Sequence, residues 1–105
     1  LNAPAVFRFT APSNPSRHLE AARVMGIDVS SARQEDAGEI LADAIIDIIR
    51  KIGIPNGLSA IGYTPADVDK LVAGTLPQHR VTKLSPRPAR ESDLRHLFLD
   101  SMTLW

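Results

Sequence analysis

The sequence contains no cysteine, which excludes a disulfide framework and a metal site built on thiolates. One Trp, one Tyr and three Phe in 105 residues are too few to interleave with cations as a nucleic-acid surface requires. No apolar run approaches the roughly 20 residues of a membrane span. The six glycines occur singly, so there is no glycine-rich phosphate-binding loop. We therefore expect no nucleic-acid partner and no membrane insertion.

The charges of the chain are balanced in number but unevenly placed. The chain has twelve Lys and Arg and twelve Asp and Glu, yet the segment from Lys70 to Arg90 holds five cations and no carboxylate. A basic segment in a neutral protein favours a small anion or an acidic neighbouring surface as its partner. The apolar content of 44% is ordinary for a globular domain, and 105 residues make one domain at most.

Two helices are predicted in the first half of the chain. The stretch "SNPSRHLEAARVMG" offers Asn14 as an N-cap, Pro15 at the first helical position and Gly26 as a C-terminal stop. The stretch "AGEILADAIIDIIRKIG" follows with apolar residues at helical spacing, which predicts a buried stripe. That stripe consists of Ile40, Leu41, Ala44, Ile45, Ile48, Ile49 and Ile52.

Two more helices are predicted in the second half. One begins with Thr64 as N-cap, Pro65 at the first position and Asp67 reaching back to the cap. The other lies in "ESDLRHLFLDSMTLW", where Leu94, Leu97, Phe98, Met102 and Trp105 are spaced to share one face. No segment alternates with a period of two for long enough to predict a strand. The sequence thus predicts an all-α unit of four helices, or five if residues 1–10 form one.

The residues that could carry chemistry do not assemble into a complete site. His18, His79 and His96 stand on three separate elements without metal-ligand spacing, and no nucleophile has a supporting base and acid. His18 and His96 are interpreted as partly exposed helical histidines. We predict no catalytic, cofactor-binding or metal-binding residue in the chain itself.

One cluster is a candidate site. His79, Arg80 and Lys83 lie in "GTLPQHRVTKLSPRP", which contains three prolines and no acid. From the residues alone two interpretations stay open: a basic connector with solvated side chains, or an anion-binding loop.

Several stretches resemble a known family. They are "PAVFRFTAPSNPSRHLEAARVMGID", "EDAGEILADAI", "IGIPNGLSAIGYTPADVDKLVAGTLPQHRVTKLSPRP" and "ESDLRHLF". Together they resemble the C-terminal helical region of the iron-containing (group III) alcohol dehydrogenases, which have a dehydroquinate-synthase-like fold, and most of all the hydroxyacid-oxoacid transhydrogenase subgroup. The most specific part of the resemblance is "GTLPQHRVTKLSPRP", residues 74–88, the basic loop.

The resemblance implies a two-domain, metal-dependent oxidoreductase. An N-terminal α/β domain would bind NAD(P), and a divalent metal, Fe²⁺ or Zn²⁺, would be held by an aspartate and three histidines outside these 105 residues. The metal would stabilise an alkoxide during hydride transfer, typically between 4-hydroxybutyrate and 2-oxoglutarate. The loop at His79 to Lys83 would face the substrate, with Arg80 as the main contact for its carboxylate. Arg90 stands near the position where members of that family often have a Thr or Ser N-cap, so the resemblance does not define the start of the last helix.

The resemblance also implies a domain organisation. Residues 1–105 are expected to be a C-terminal helical fragment, inactive alone, whose partners are the rest of the same enzyme, a small hydroxy or oxo acid, and further copies in a homo-oligomer. Exposed isoleucine-rich and Trp105 faces would make the isolated fragment self-associate or leave it marginally stable. We expect a cytoplasmic protein, or a mitochondrial one in a eukaryote. The alternative is a non-catalytic helical interaction module of the same ancestry.

Overall fold

The computed structural model describes all residues from Leu1 to Trp105 and contains helices but no strand, which confirms the all-α prediction. It has five helices of two turns or more and one of a single turn. Short 3-10 segments cover Ala11–Ser13, Gln34–Asp36, Ser59–Ile61 and Pro65–Asp67. The α-helices are α1 (Ala3–Thr10), α2 (Pro15–Val24), α3 (Ala37–Lys51), α4 (Val68–Thr75), α5 (His79–Thr82) and α6 (Glu91–Asp100). The fifth helix foreseen in residues 1–10 is therefore present, and the single-turn α5 was not predicted.

The predicted helix caps are formed as expected. The Asn14 side chain accepts a hydrogen bond from the Arg17 backbone N–H at 3.2 Å, and Gly26 ends the segment after α2 with a φ of +94°. The backbone N–H and hydroxyl of Thr64 both donate to the Asp67 carboxylate at 2.9 Å. These bonds satisfy backbone groups that helix ends leave unpaired, which is why short local signals sufficed to place them.

The first packing centre joins α1, α2 and α3 through small residues. Its buried members include Ala5, Ala11, Ala22, Ala37, Leu41, Ala42, Ala44, Ile46 and Ile49. Gly38 at the start of α3 lies against α1 so closely that an added Cβ would be 3.1 Å from Cα of Arg8. Small side chains let helix backbones approach, so this centre is narrow and rich in alanine.

The predicted stripe on α3 was partly wrong. Leu41, Ala44 and Ile49 are buried, but Ile48 and Ile52 are 45% and 65% exposed. The chain buries Ala42 and Ile46 instead, because α1 and α2 contact a face rotated from the one that isoleucine spacing suggested. Apolar periodicity alone cannot tell which of two adjacent apolar edges a neighbour will cover.

The second packing centre joins α4, α6 and the C-terminal residues. Leu58, Val68, Val72, Leu94 and Met102 form one buried cluster. Of the last helix's predicted face, Leu94 and Met102 are buried, Leu97 and Phe98 are partly buried, and Trp105 is 39% exposed. Met102 and Trp105 lie beyond the end of α6, so they are not on its helical face.

The tail after α6 is fastened to the turn that precedes α4. The Asn56 side-chain oxygen accepts from the backbone N–H groups of Leu104 and Trp105 at 2.8 and 3.0 Å. The backbone N–H of Leu58 donates to the Ser101 carbonyl at 2.9 Å. This contact closes the second packing centre.

The start of α6 is capped from within the helix. The Asp93 carboxylate accepts the backbone N–H of Arg90 at 2.9 Å, while the Arg90 side chain, which has no acceptor, contributes nothing to the cap. The doubt raised by an arginine at this position is thus resolved by Asp93. None of the helices combines the length and the apolar character that crossing a bilayer would require.

Candidate functional site

The basic loop is folded around one turn of helix. After α4 ends at Thr75, the chain turns at Pro77 and forms α5, whose hydrogen bonds include Thr82 N–H to the Gln78 carbonyl at 3.0 Å and Lys83 N–H to the His79 carbonyl at 3.1 Å. A single turn is too short to be stable by itself. The position of the loop therefore depends on what it contacts.

The three predicted site residues lie together on the outer side of α5. His79, Arg80 and Lys83 are all exposed, and neither cation is paired with a carboxylate. Successive helical residues are rotated by about 100°, so positions 79, 80 and 83 share one side and positions 81 and 82 face the other way. The structure brings the three together, but it does not turn them toward the interior of the chain.

The other side of α5 borders an apolar pocket of about 300 Å³. Its walls are α1, the end of α4, the loop and α6. The lining residues are Asn2, Val6, Phe9, Thr10, Thr75, Val81, Thr82, Leu84, Ser85, Pro86, Ala89, Leu94, Leu97 and Phe98. None of them is charged, so His79, Arg80 and Lys83 are absent from this pocket. Sequence reasoning missed it because its walls come from two stretches far apart in the chain, residues 2–10 and 75–98.

The polar groups of the pocket are mostly occupied. The Thr75 hydroxyl donates to the Leu71 carbonyl at 2.8 Å, and Thr10 Oγ1 lies 2.9 Å from His18 Nε2. Among the buried polar atoms, the side-chain oxygen of Asn2 has no hydrogen-bond partner. The pocket is open to solvent, since Val81 and Leu84 on its wall are 56% and 79% exposed; it offers an apolar surface and one hydrogen-bond acceptor at Asn2, but no acid or base.

Arg87 joins the loop to α1 across one end of this pocket. Its Nη1 donates to the Phe9 carbonyl at 2.7 Å, and its guanidinium carbon lies 4.1 Å from the centre of the Phe9 ring. A guanidinium can make both contacts at once because it is planar and carries several donors. Nothing in the sequence marked Arg87 apart from the other cations of the basic segment.

The remaining histidines have local roles. His18 Nδ1 donates to the Asn14 carbonyl at 2.8 Å, and the ring packs edge-on against Phe7. His96 Nδ1 donates to the Ser92 carbonyl at 2.8 Å. No three His, Asp or Glu side chains are close enough to hold a metal ion. The residues of this chain do not by themselves fit the metal that the resemblance implies.

The carboxylates with displaced pKa values lie away from the pocket. The Arg23 side chain, by hydrogen bond and charge, lowers the pKa of Glu20. Hydrogen bonds from Thr64, first from its backbone and then from its hydroxyl, lower the pKa of Asp67. These shifts reflect ion pairing and helix capping, so they do not indicate a catalytic acid or base.

Comparison with known proteins identifies the family. A family model described as the C-terminal part of the Fe-containing alcohol dehydrogenase family matches residues 1–102. The chain belongs to this family. It is 56% identical over its whole length to a probable mitochondrial hydroxyacid-oxoacid transhydrogenase of Dictyostelium discoideum, of which it covers 19%. It is 51% and 50% identical, again over its whole length, to the mitochondrial hydroxyacid-oxoacid transhydrogenases of Bos taurus and Homo sapiens, covering 22% of each.

The comparisons confirm the resemblance read from the sequence. The chain spans about a fifth of the length of these curated relatives of the Fe-containing alcohol dehydrogenase family. Its helical structure agrees with the helical C-terminal region that the resemblance implied. The roles of His79, Arg80 and Lys83 remain a prediction.

Proposed function

We propose that these 105 residues are the C-terminal helical domain of a metal-dependent, nicotinamide-using oxidoreductase that transfers hydride between a hydroxy acid and an oxo acid. The observation that carries the proposal is the identity of 50–56%, over the whole chain, with proteins named hydroxyacid-oxoacid transhydrogenase. Since the chain's own side chains form no metal site, the metal, Fe²⁺ or Zn²⁺, and NAD(P) are assigned to residues of an N-terminal part outside it.

The contribution of this chain is the recognition of the acid substrate. Arg80 is exposed and has no carboxylate partner, and Lys83 lies on the same side of α5. A guanidinium can bind a carboxylate through two parallel hydrogen bonds, and this favours an anion-binding loop over a connector with solvated side chains. Arg80 is therefore the main contact for the substrate carboxylate, with Lys83 and His79 as helpers. The acid approaches α5 from the side away from the apolar pocket, where the rest of the enzyme would close the cleft.

The activity is tested on the full-length protein that contains this chain. Mixed with 4-hydroxybutyrate and 2-oxoglutarate and no added nucleotide, it should oxidise the first to its aldehyde and reduce the second to the 2-hydroxy acid in equal amounts. The 105-residue chain should be inactive under the same conditions. A full-length protein that is folded and metal-loaded but exchanges no hydride between any hydroxy and oxo acid would favour the non-catalytic helical module.

The role of Arg80 is tested by Arg80→Ala in the full-length protein. Loss of a desolvated charge-assisted contact costs about 1.5–3 kcal/mol, so the KM for the acid should rise at least tenfold, while a simple alcohol is oxidised as before. Arg17→Ala removes another exposed cation, on α2, and should leave both substrates unaffected. Equal losses for acid and alcohol would contradict the assignment.

Assembly and location complete the proposal. Exposed apolar residues such as Ile48, Ile52 and Trp105 favour contact with the rest of the enzyme or with another subunit, so we expect a homo-oligomer. Sedimentation of the active preparation checks this, and a monomer would contradict it. We expect a cytoplasmic protein, or a mitochondrial one in a eukaryote, as in the names of the relatives.

A further inference from the structure

The limb of the basic loop that runs back to α6 has almost no hydrogen bonds of its own. Between Leu84 and Ala89 no backbone group takes part in a backbone hydrogen bond. The only hydrogen bond of this segment is the one from Arg87 to the Phe9 carbonyl, supplemented by the stacking of the guanidinium on the Phe9 ring. An irregular segment with one polar anchor is expected to move when that anchor is removed.

The anchor spans the two walls of the apolar pocket. Phe9 lines the pocket from α1, and Pro86, the residue before Arg87, lines it from the loop. The distance between these walls is therefore set at one end by the contact between Arg87 and Phe9. On the same loop, three residues ahead of Leu84, Val81 lines the pocket from the inner side of α5.

We propose that Arg87 is a positioning residue for substrate binding, which rests on the function proposed above. By holding the returning limb against α1 it fixes the rotation of α5, and so the direction in which Arg80 and Lys83 face. Arg87 does not contact the substrate in this proposal: it is half-buried, and its guanidinium is engaged with Phe9. A residue that only stabilised the fold would instead lower the melting temperature without a selective effect on the acid.

The test compares Arg87→Gln and Arg87→Lys in the full-length protein with Arg90→Gln as the matched control. Arg90 is exposed, lies three residues further on, and caps α6 only through its backbone N–H, which the substitution keeps. Arg87→Gln should raise the KM for the acid roughly tenfold and change kcat by less than about twofold, because binding geometry is altered and the reacting groups are not. Arg87→Lys should rescue little, since an ammonium lacks the planar fork.

A second measurement separates this proposal from the function on which it rests. Hydrogen exchange followed by mass spectrometry reports on the amides of Val81, Thr82 and Lys83, which are hydrogen-bonded within and at the end of α5. Arg87→Gln should speed their exchange at least fivefold with little effect on the peptide of α3, and Arg90→Gln should change neither. Unchanged exchange in Arg87→Gln would overturn the positioning role whatever the activity. Faster exchange with an unaltered KM for the acid would overturn its link to substrate binding. A wild-type protein that exchanges no hydride between the two acids would refute the proposed function, and the exchange data would still decide whether Arg87 positions α5.

Discussion

Gly57 offers the sharpest test of the packing between the C-terminal tail and the turn before α4. Its φ is +75°, a left-handed conformation that costs an L-residue about 1–2 kcal/mol. An alanine Cβ would lie 2.7 Å from the Ser101 carbonyl oxygen and closer still to that of Met102. Those carbonyls accept from the N–H groups of Leu58 and Ser59 at 2.9 and 3.0 Å, so they cannot move without weakening both bonds. Each bond contributes about 1 kcal/mol, and Gly57→Ala should therefore lower the free energy of unfolding by about 3–4 kcal/mol.

Gly53→Ala is the control for this prediction. Gly53 has the same φ of +75°, but nothing lies within 4 Å of its added Cβ. It should show only the backbone cost of about 1–2 kcal/mol. The difference of about 2 kcal/mol isolates the contact with the tail. For a domain of this size it corresponds to a shift in melting temperature of about 10 °C.

The assay is urea denaturation of each variant of the 105-residue chain, at one concentration at which sedimentation shows a monomer, followed by far-ultraviolet circular dichroism with thermal melting as a second probe. The slope of the unfolding free energy against urea must be the same for both variants if the comparison is to measure stability. If Gly57→Ala and Gly53→Ala agreed within about 0.5 kcal/mol, the tail would not be packed on Gly57 as the structure shows.

Two further predictions concern the same measurement. Gly38→Ala should destabilise the chain by about 1–3 kcal/mol, because its Cβ would lie 3.1 Å from the Ala11 Cβ. Gly74→Ala is the control: it lies in open space on α4 and should stabilise the chain by up to about 1 kcal/mol. If both substitutions changed the free energy of unfolding in the same direction, the close approach of α1 and α3 would be contradicted. The pKa of Asp67 is lowered from its ordinary value of 3.8 by hydrogen bonds from Thr64, so its stabilisation is complete above that pH and is lost as the pH falls through the lowered pKa. Asp67→Asn should thus reduce the urea midpoint by a larger amount at pH 6 than at pH 2, and an equal reduction at both would refute the assignment.

Features that depend on a few adjacent residues could be predicted from the sequence. The caps at Asn14 and Thr64, and the stop at Gly26, are decided by hydrogen bonds and backbone conformations within four residues of one another. The class of the fold followed from the same local signals together with helical periodicity. The cap at Arg90 could not be recognised from the first residue, because an arginine side chain has no acceptor and the carboxylate of Asp93 makes the bond.

Features that depend on contacts between distant segments could not be predicted. Which edge of α3 is buried was decided by the way α1 crosses at Gly38, and no periodicity contains that information. The apolar pocket needs Asn2 and Phe98 on facing walls, and Arg87 acquires its partner 78 residues earlier in the chain. The single turn of α5 is shorter than any window in which apolar periodicity can be recognised.

Because α5 is only one turn long, the candidate site depends both on features set by adjacent residues and on contacts between distant segments. Its outer side carries Arg80 and Lys83, which the composition of the loop revealed, and its inner side carries Val81, which only the structure places against a pocket. A rotation of α5 by one residue, about 100°, could turn the cations toward the apolar wall and move Val81, which is already 56% exposed, off that wall. Such a short helix cannot resist that rotation through its own hydrogen bonds. The direction of the cations must then be fixed from outside α5, and Arg87 makes the only hydrogen bond that does so from the returning limb of the loop.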